Sequence, residues 1–409
     1  MNKKNRILIV GYNYKSIFKC ISEGFEVDVL IDKWDYQYGN IEPLMLGERR
    51  IYVEECANAT LAISALYHYN IDKNEYHAVF TDYEFTVVTA GILKSILNVK
   101  NGIDFEQAVF FRDKYAQKRK LASIVPVANN QLIENLVNFD FKDLKINFPM
   151  VLKPLAGAGA ENTVKVESQE QLKKLFKTLT NKGYAYNSYL IEEFIEGQEL
   201  YIDGIVYKSK INLFTISQYW EPLLKIKEHS TIKTFTLHPS KYNSLYAEAQ
   251  KFLSKIFEEL KFRNGVFHME VFLTRDNKLV FSECAARSGG GMMDQAFKTL
   301  YDVSLKESVA DIFLETYKDN KPKIKNIITG FALIPTINKS VNKLPTIQEL
   351  KKIEPTIQEV IYEWSPGDEL PDITKSSTKR IGMFLVTSDS EVELKKSITK
   401  VLNYFSELK

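Results

Sequence analysis

Cysteine is scarce in this chain, with three residues in 409: Cys20, Cys56 and Cys284. Their spacing fits neither a metal-ligand set nor a disulfide framework, which suits a reducing cytosol and leaves packing as their expected role. Histidine is nearly as scarce, at five. His229 and His238 lie nine residues apart in a polar stretch, with no helical or strand spacing to join them, and make a poor metal pair. An excess of either charge is also missing. Lys and Arg total 54 against 52 for Asp and Glu, so no overall field draws the chain to nucleic acid or to an anionic membrane, although local basic patches stay open. The apolar run in the N-terminal MNKKNRILIVGYNYK spans five residues, too short for a signal peptide or a membrane span. No full G-x-G-x-x-G opens the chain and no Gly-Lys-Ser/Thr closes a glycine loop, which argues against a Rossmann dinucleotide site and a Walker A site. The expectation is a soluble cytoplasmic protein with neither nucleic-acid nor membrane partners.

What is present is enough apolar residue, 45% of the chain, to bury substantial cores in about two to four domains. The most informative stretch is GVFHMEVFLTRDNKLVFSECAARSGGG, residues 265–291. Two apolar runs flank Asp276-Asn277, a pair that tolerates the positive φ of a tight turn, so Gly265–Arg275 and Lys278–Cys284 are expected to pair as antiparallel strands. Phe267, Met269, Val271 and Leu273 then share one face, with His268 and Glu270 on the other. With a two-residue turn, Arg275 lies opposite Lys278 and Glu270 opposite Glu283. Carboxylates so opposed have Cβ atoms about 5 Å apart and destabilise a sheet unless something neutralises them. A divalent cation would do so, and oxygen-only ligands suit Mg²⁺. The plain structural alternative is a slipped register, or one glutamate turned to solvent. Arg287 and the Ser288-Gly289-Gly290-Gly291 run follow, offering a guanidinium and unobstructed backbone N–H groups where negative charge develops.

Taken from its start, the chain opens β-α-β: Arg6–Val10, a helical stretch around Ile17–Ser22, then Glu26–Ile31, a pattern of doubly wound parallel sheets. Ala78–Thr81 is a further strand, with Asp82 and Glu84 at its carboxyl end, where such sheets place ligands. Glu84 could hold a substrate ammonium or be a solvated loop carboxylate. Asp104 with Gln107 resembles a capping box, and a helix over Arg112–Ala122 carries Arg112, Lys114, Lys118 and Arg119, most simply a solvated basic face. Pro126 ends this region, and 129–147 marks a lobe boundary. Met150–Lys153 is a strand leading into the small-residue loop 155–162, which includes Gly157, Gly159 and Ala160, and then into the strand Thr163–Val166. A lysine at a strand end beside such a loop is a phosphate-binding arrangement, the ammonium acting as a point charge and the loop supplying N–H donors.

A helix from Ser168 to about Leu179 precedes the segment Tyr189–Leu200, read as a strand, a turn at Gly197 and a second strand over Leu200–Val206. Backbone groups there could pair with a planar base, and Glu199 could accept hydrogen bonds from a sugar. The helix Tyr246–Lys261 has one apolar stripe and is a packing element. Residues 321–409 are richer in proline, with strand-like 327–334 and 381–386 and a terminal helix over 392–408. They suggest a small α+β domain that covers the active site or forms a homodimer interface.

The order Arg112-Asp113-Lys114, Val151-Leu152-Lys153-Pro154 with its loop, Glu192-Glu193-Phe194-Ile195-Glu196-Gly197-Gln198-Glu199, His268-Met269-Glu270 and Ser282-Glu283-Cys284-Ala285-Ala286-Arg287 resembles the ATP-grasp superfamily, and within it the carboxylate–amine ligases that include bacterial L-amino acid ligases. The likeness covers about residues 1–320. It implies an N-terminal Rossmann-like domain (1–102), a two-lobed nucleotide-binding core (103–320, small lobe about 128–198) and a C-terminal α+β domain (321–409). By the same resemblance Lys114 and Lys153 contact ATP phosphates under the 155–162 loop, and Glu192, Glu193, Ile195 and Glu199 bind adenine and ribose. Glu270 and Glu283 hold Mg²⁺, with Mn²⁺ as a substitute. Arg287 meets the transferred phosphoryl group or acyl phosphate; Glu84, His268, Gly289 and Gly290 are expected to face the substrates from their own positions on the strand ends and the glycine run. Where many ATP-grasp enzymes have asparagine, two residues after the second metal glutamate, this chain has Ala285. The implied reaction joins a small-molecule carboxylate to an amine through an acyl phosphate, with His268 as a candidate base. A carrier-bound acceptor, a kinase-like or carboxylating activity and a nucleotide-sensing role are the alternatives.

Overall fold

Four short strands near the N-terminus, three apolar and the edge strand Glu48–Tyr52 charged, pair in parallel in the spatial order Glu48–Tyr52, Glu26–Ile31, Arg6–Val10, Tyr76–Phe80. The helix Tyr14–Ser22 starts where the Asn13 side chain accepts the Ser16 N–H, and Ile17 and Cys20 turn inward. The three cysteines are free and buried, as packing residues would be. The computed structural model describes residues 5–38, 41–71, 75–157, 162–184, 187–228, 231–320, 322–335, 344–368 and 380–407. Among them no helix is long and apolar enough to cross a membrane.

The second sheet has eight strands, running from Leu279–Ala285 through Gly265–Thr274, Gly197–Tyr207, Lys210–Tyr219, Lys233–Leu237, Ile328–Ile334 and Gly382–Ser388 to Ile357–Tyr362. The three strands after residue 321 thus continue the sheet that begins with the 265–285 hairpin. Alternation along the strands decides its faces. Leu200, Ile202, Phe267, Met269 and Val271 pack under the helix Asn243–Glu259 through Ala249, Phe252, Leu253 and Ile256, while Glu199, Tyr201, Asp203, His268 and Glu270 occupy alternate positions that give onto the other face. A third, antiparallel sheet orders Asn130–Ile133, Tyr189–Glu193, Met150–Pro154 and Val164–Val166. The helix Gln169–Asn181 seals it with Leu172, Phe176 and Leu179. The segment 194–196 therefore crosses from the third sheet to the second.

The hairpin differs from its expected geometry in two places that cancel. Thr274 N–H donates to Lys278 O at 3.0 Å, which makes the turn three residues long, with Asn277 left-handed at φ 58°. That alone would shift every pair by one. A bulge at Ser282 shifts them back, and Glu270 does face Glu283. Two other expectations are corrected. Asp104 makes no side-chain cap and instead pairs with Lys94. The basic helix runs from Lys114 to Leu121, capped by Asp113 on the Tyr115 and Ala116 N–H groups, and it buries Lys114, Gln117 and Lys118 instead of presenting them to solvent.

Candidate active site

The carboxylates on the open face of the hairpin meet lysines from elsewhere in the chain. Glu283 pairs with Lys114, whose ammonium also donates to Gly157 O at 3.1 Å. Burial alone would raise the Glu283 carboxyl. Lys114, Lys153 and Lys118 outweigh it and hold the group down at about 2. Lys153 lies 2.8 Å from Glu192 Oε2, and Lys118 lies 3.0 Å from Glu192 Oε1. Burial opposes ionisation of Glu192 as well, and the two lysines again prevail. Lys118 pays the larger part of this arrangement: its burial lowers the ammonium to about 8. Sequence reasoning missed Lys118, although Lys114, Gln117 and Lys118 share the i, i+3, i+4 spacing of one helical face.

Glu199 is buried, accepts the Leu223 N–H at 2.8 Å, and is pushed up to about 8 by its burial and by the charge of Glu270. Negative charge on this side of the site is thus undercompensated by protein groups. A hard cation with oxygen ligands fits beside Glu270 and Glu283 on that ground. The group Asp32, Asp35 and Cys56, whose ligand atoms cluster in the first sheet's domain, has a different explanation. Asp32 accepts N–H groups of Trp34, Asp35 and Cys56, and Asp35 accepts those of Tyr12 and Asp32, so these carboxylates serve as backbone caps.

Arg287 reaches the first sheet. Its Nε and Nη2 donate to Glu84 Oε2 at 3.1 and 2.5 Å, and Arg112 lies 3.5 Å from Glu84 Oε1. Next to it, Ser288 donates its N–H and hydroxyl to the two oxygens of Asp82, at 2.8 and 2.6 Å. The two acidic residues after the strand Tyr76–Phe80 therefore grip the loop that follows the second carboxylate. Gly289 is enclosed. A Cβ there would stand 2.8 Å from Asp203 Oδ1 and 3.0 Å from His268 Nδ1, and closer still to Met293 Sδ, whereas one at Gly290 would meet nothing within 4 Å. Gly289→Ala should accordingly cost about 1–3 kcal/mol of stability by overpacking and lower turnover, while Gly290→Ala should change stability by less than about 0.5 kcal/mol. Thermal melts of the two variants compare them directly, and equal losses would contradict the geometry.

His268 donates from Nδ1 to Asp203 Oδ1 at 2.9 Å, with Nε2 3.9 Å from Glu270. Burial would depress the imidazole, but Asp203 outweighs burial and lifts it to about 9. A protonated ring has no lone pair to accept a proton at neutral pH, so it is an anion-facing donor there and not a base. Because the folded pKa lies above the unfolded value, His268 contributes stability fully below about pH 6.5, and that contribution is lost as pH rises through about 9. The melting temperature of the native chain should therefore drop between about pH 7 and 9 relative to Asp203→Asn. Parallel curves would contradict the pairing.

Of the remaining residues singled out in the sequence, Glu193 accepts from Asn129 Nδ2 at 2.7 Å, and Ile195 sits half-buried in the crossing between the sheets. Gly159 and Ala160 lie outside the described residues.

Residues 146–295 match the ATP-grasp domain. The lobed sheets, with acidic and basic groups facing one another between them, form an ATP-grasp fold around that matched stretch. The chain is 27% identical over 337 residues to the L-arginine-specific L-amino acid ligase of Bacillus subtilis, across 80% of this chain and 79% of that one. Its fold resembles an L-amino acid ligase from Bacillus licheniformis with a TM-score of 0.78, at 15% identity over 98% of both chains. It also resembles carboxyaminoimidazole ribonucleotide synthase from Aspergillus clavatus, solved with ATP, with a TM-score of 0.72 at 14% identity over 99% of both.

Proposed function

We propose that the protein is an ATP-dependent carboxylate–amine ligase that forms an amide or peptide bond, with an amino acid among its substrates, and releases ADP and phosphate. The observation that carries this is the buried set Lys153–Glu192–Lys118 and the partly buried pair Lys114–Glu283, beside the Glu84-bound Arg287. Cations held by carboxylates in a dry cleft are arranged to exchange partners for a polyphosphate. The likeness to the Bacillus subtilis ligase supports the amino acid. The division into 1–102, 103–320 and 321–409 belongs to the same proposal.

In this scheme Lys114 and Lys153 bind the phosphates, and Glu192, Glu193, Ile195 and Glu199 line the base and ribose. Glu270 and Glu283 would hold Mg²⁺ or Mn²⁺, which supplies charge neutralisation across the phosphates when bound. The substrate carboxylate attacks the γ-phosphorus and ADP leaves. Arg287 faces the charge of the resulting acyl phosphate, and the amine attacks its carbonyl carbon with loss of phosphate. Glu84, engaged by Arg287 on one oxygen and approached by Arg112 on the other, holds the guanidinium and is not left for the ammonium expected from the sequence, while the N–H groups of Gly289 and Gly290 face the reacting oxygens.

A matrix of amino acids and amines, assayed for ADP with mass spectrometry of the products, tests the scheme. ADP release that requires both an acid and an amine, with a product lighter than their sum by one water, is the expected result. ADP release without an amine would replace it with a carboxylating or kinase-like activity, and the lack of any turnover with a sensing role.

A further inference from the structure

Lys118 is the buried charge for which the proposed reaction has no use. It is 1% exposed, in the interior of the helix Lys114–Leu121. One neighbour fastens that helix to the carboxylate strand: Gln117 donates Nε2 to Cys284 O at 2.8 Å and accepts the Cys284 N–H at 2.9 Å. Lys118 itself donates to Phe281 O at 3.4 Å, and its ammonium lies 3.0 Å from Glu192 Oε1 as an ion pair. The other oxygen of Glu192 holds Lys153. One carboxylate, 6% exposed, thus serves two lysines, each of which is buried as well.

A buried carboxylate stripped of its counter-charge is strongly unfavourable, far more so than a pair that stays intact. If Lys153 alone balanced Glu192, turning its ammonium toward a phosphate would leave Glu192 unpaired, and the carboxylate would compete with the nucleotide. With a second lysine already in contact, Lys153 can leave without creating that charge. We propose that Lys118 is a positioning residue that keeps Glu192 neutralised, so that Lys153 is free to move from Glu192 to the phosphates of a bound nucleotide. The inference rests on the reading of this site as an ATP site. A merely structural Lys118, pinning the third sheet to the strand Leu279–Ala285, would act through stability and be indifferent to the charge of Glu192.

The test is a double-mutant cycle read by calorimetric binding of the magnesium complex of a non-hydrolysable ATP analogue. Lys118→Met is expected to weaken binding by about tenfold or more in the native background and by less than about threefold in Glu192→Gln, since the competing carboxylate is then gone. Lys118→Arg should bind within about threefold of the native chain, because it retains the charge. Native-like affinity in Lys118→Met, or the same loss with and without Glu192, would overturn the proposal. Should Lys118→Met alone fail to fold, Glu192→Gln against the double variant decides, equal affinity supporting it and a tenfold loss overturning it. Failure of the double variant to fold would also overturn it, because Lys118 would then be needed whatever Glu192 carries. A native chain that binds the analogue without ligating sinks the ligase scheme and leaves this inference standing. No binding by the native chain sinks both.

Discussion

Glutamine at position 283 will lower product formation by about 10³-fold or more while leaving the fold intact. Two losses coincide in Glu283→Gln. The site loses an anionic oxygen ligand opposite Glu270, and Lys114 loses the carboxylate that orients it beside Gly157 O. Removal of a single preorganised electrostatic contact costs about 10²–10³ in kcat, and here one substitution disturbs both the metal position and a phosphate lysine. The amide has the same shape and Gln117 fastens the strand on both sides of Cys284, so the fold is kept, but buried Lys114 loses its ion pair and the melting temperature should fall. Single-turnover ADP formation across a Mg²⁺ titration separates the effects: added Mg²⁺ should not restore the rate. Turnover within tenfold of the native enzyme, with an unchanged Mg²⁺ dependence, would remove Glu283 from the metal site.

Arg287→Ala is the second large effect, a loss of roughly 10²–10³ in kcat. The guanidinium is held by two of its nitrogens on one oxygen of Glu84, with Nη1 donating to Ser288 O at 2.8 Å, a forked arrangement that an ammonium cannot copy. Arg287→Lys should therefore recover little. Glu84→Gln should reproduce part of the loss, because it leaves the guanidinium in place without its charged partner. Steady-state kcat with the true acid and amine is the measurement, and near-normal turnover in Arg287→Ala would show that the transferred group does not meet this side chain.

How much of this was legible beforehand depends on the range of each interaction. The opposition of Glu270 and Glu283 came from counting along alternating strands, yet the count assumed a two-residue turn. Asn277 takes the third place in the turn, and Ser282, the extra residue, repairs the register, a compensation invisible to a period-2 pattern. Lys118 is illegible in the sequence because four basic residues on a short helix look solvated, and only the Glu192 carboxylate, 74 residues on, makes its burial tolerable. Glu84 stands out by its position after a strand, but no local rule couples it to Arg287, 203 residues later.

The sequence by itself determined the elements and the chemistry: parallel strands near the start, a lysine beside a small-residue loop, two glutamates on one hairpin face, and an arginine four residues beyond. These follow from side-chain alternation and turn propensity, which act over a few residues. Which lysine meets which glutamate, and which carboxylate anchors the arginine, was decided only by the packing of three sheets against one another. A buried charge is stable only with its partner in contact, and that contact exists nowhere but in the folded chain.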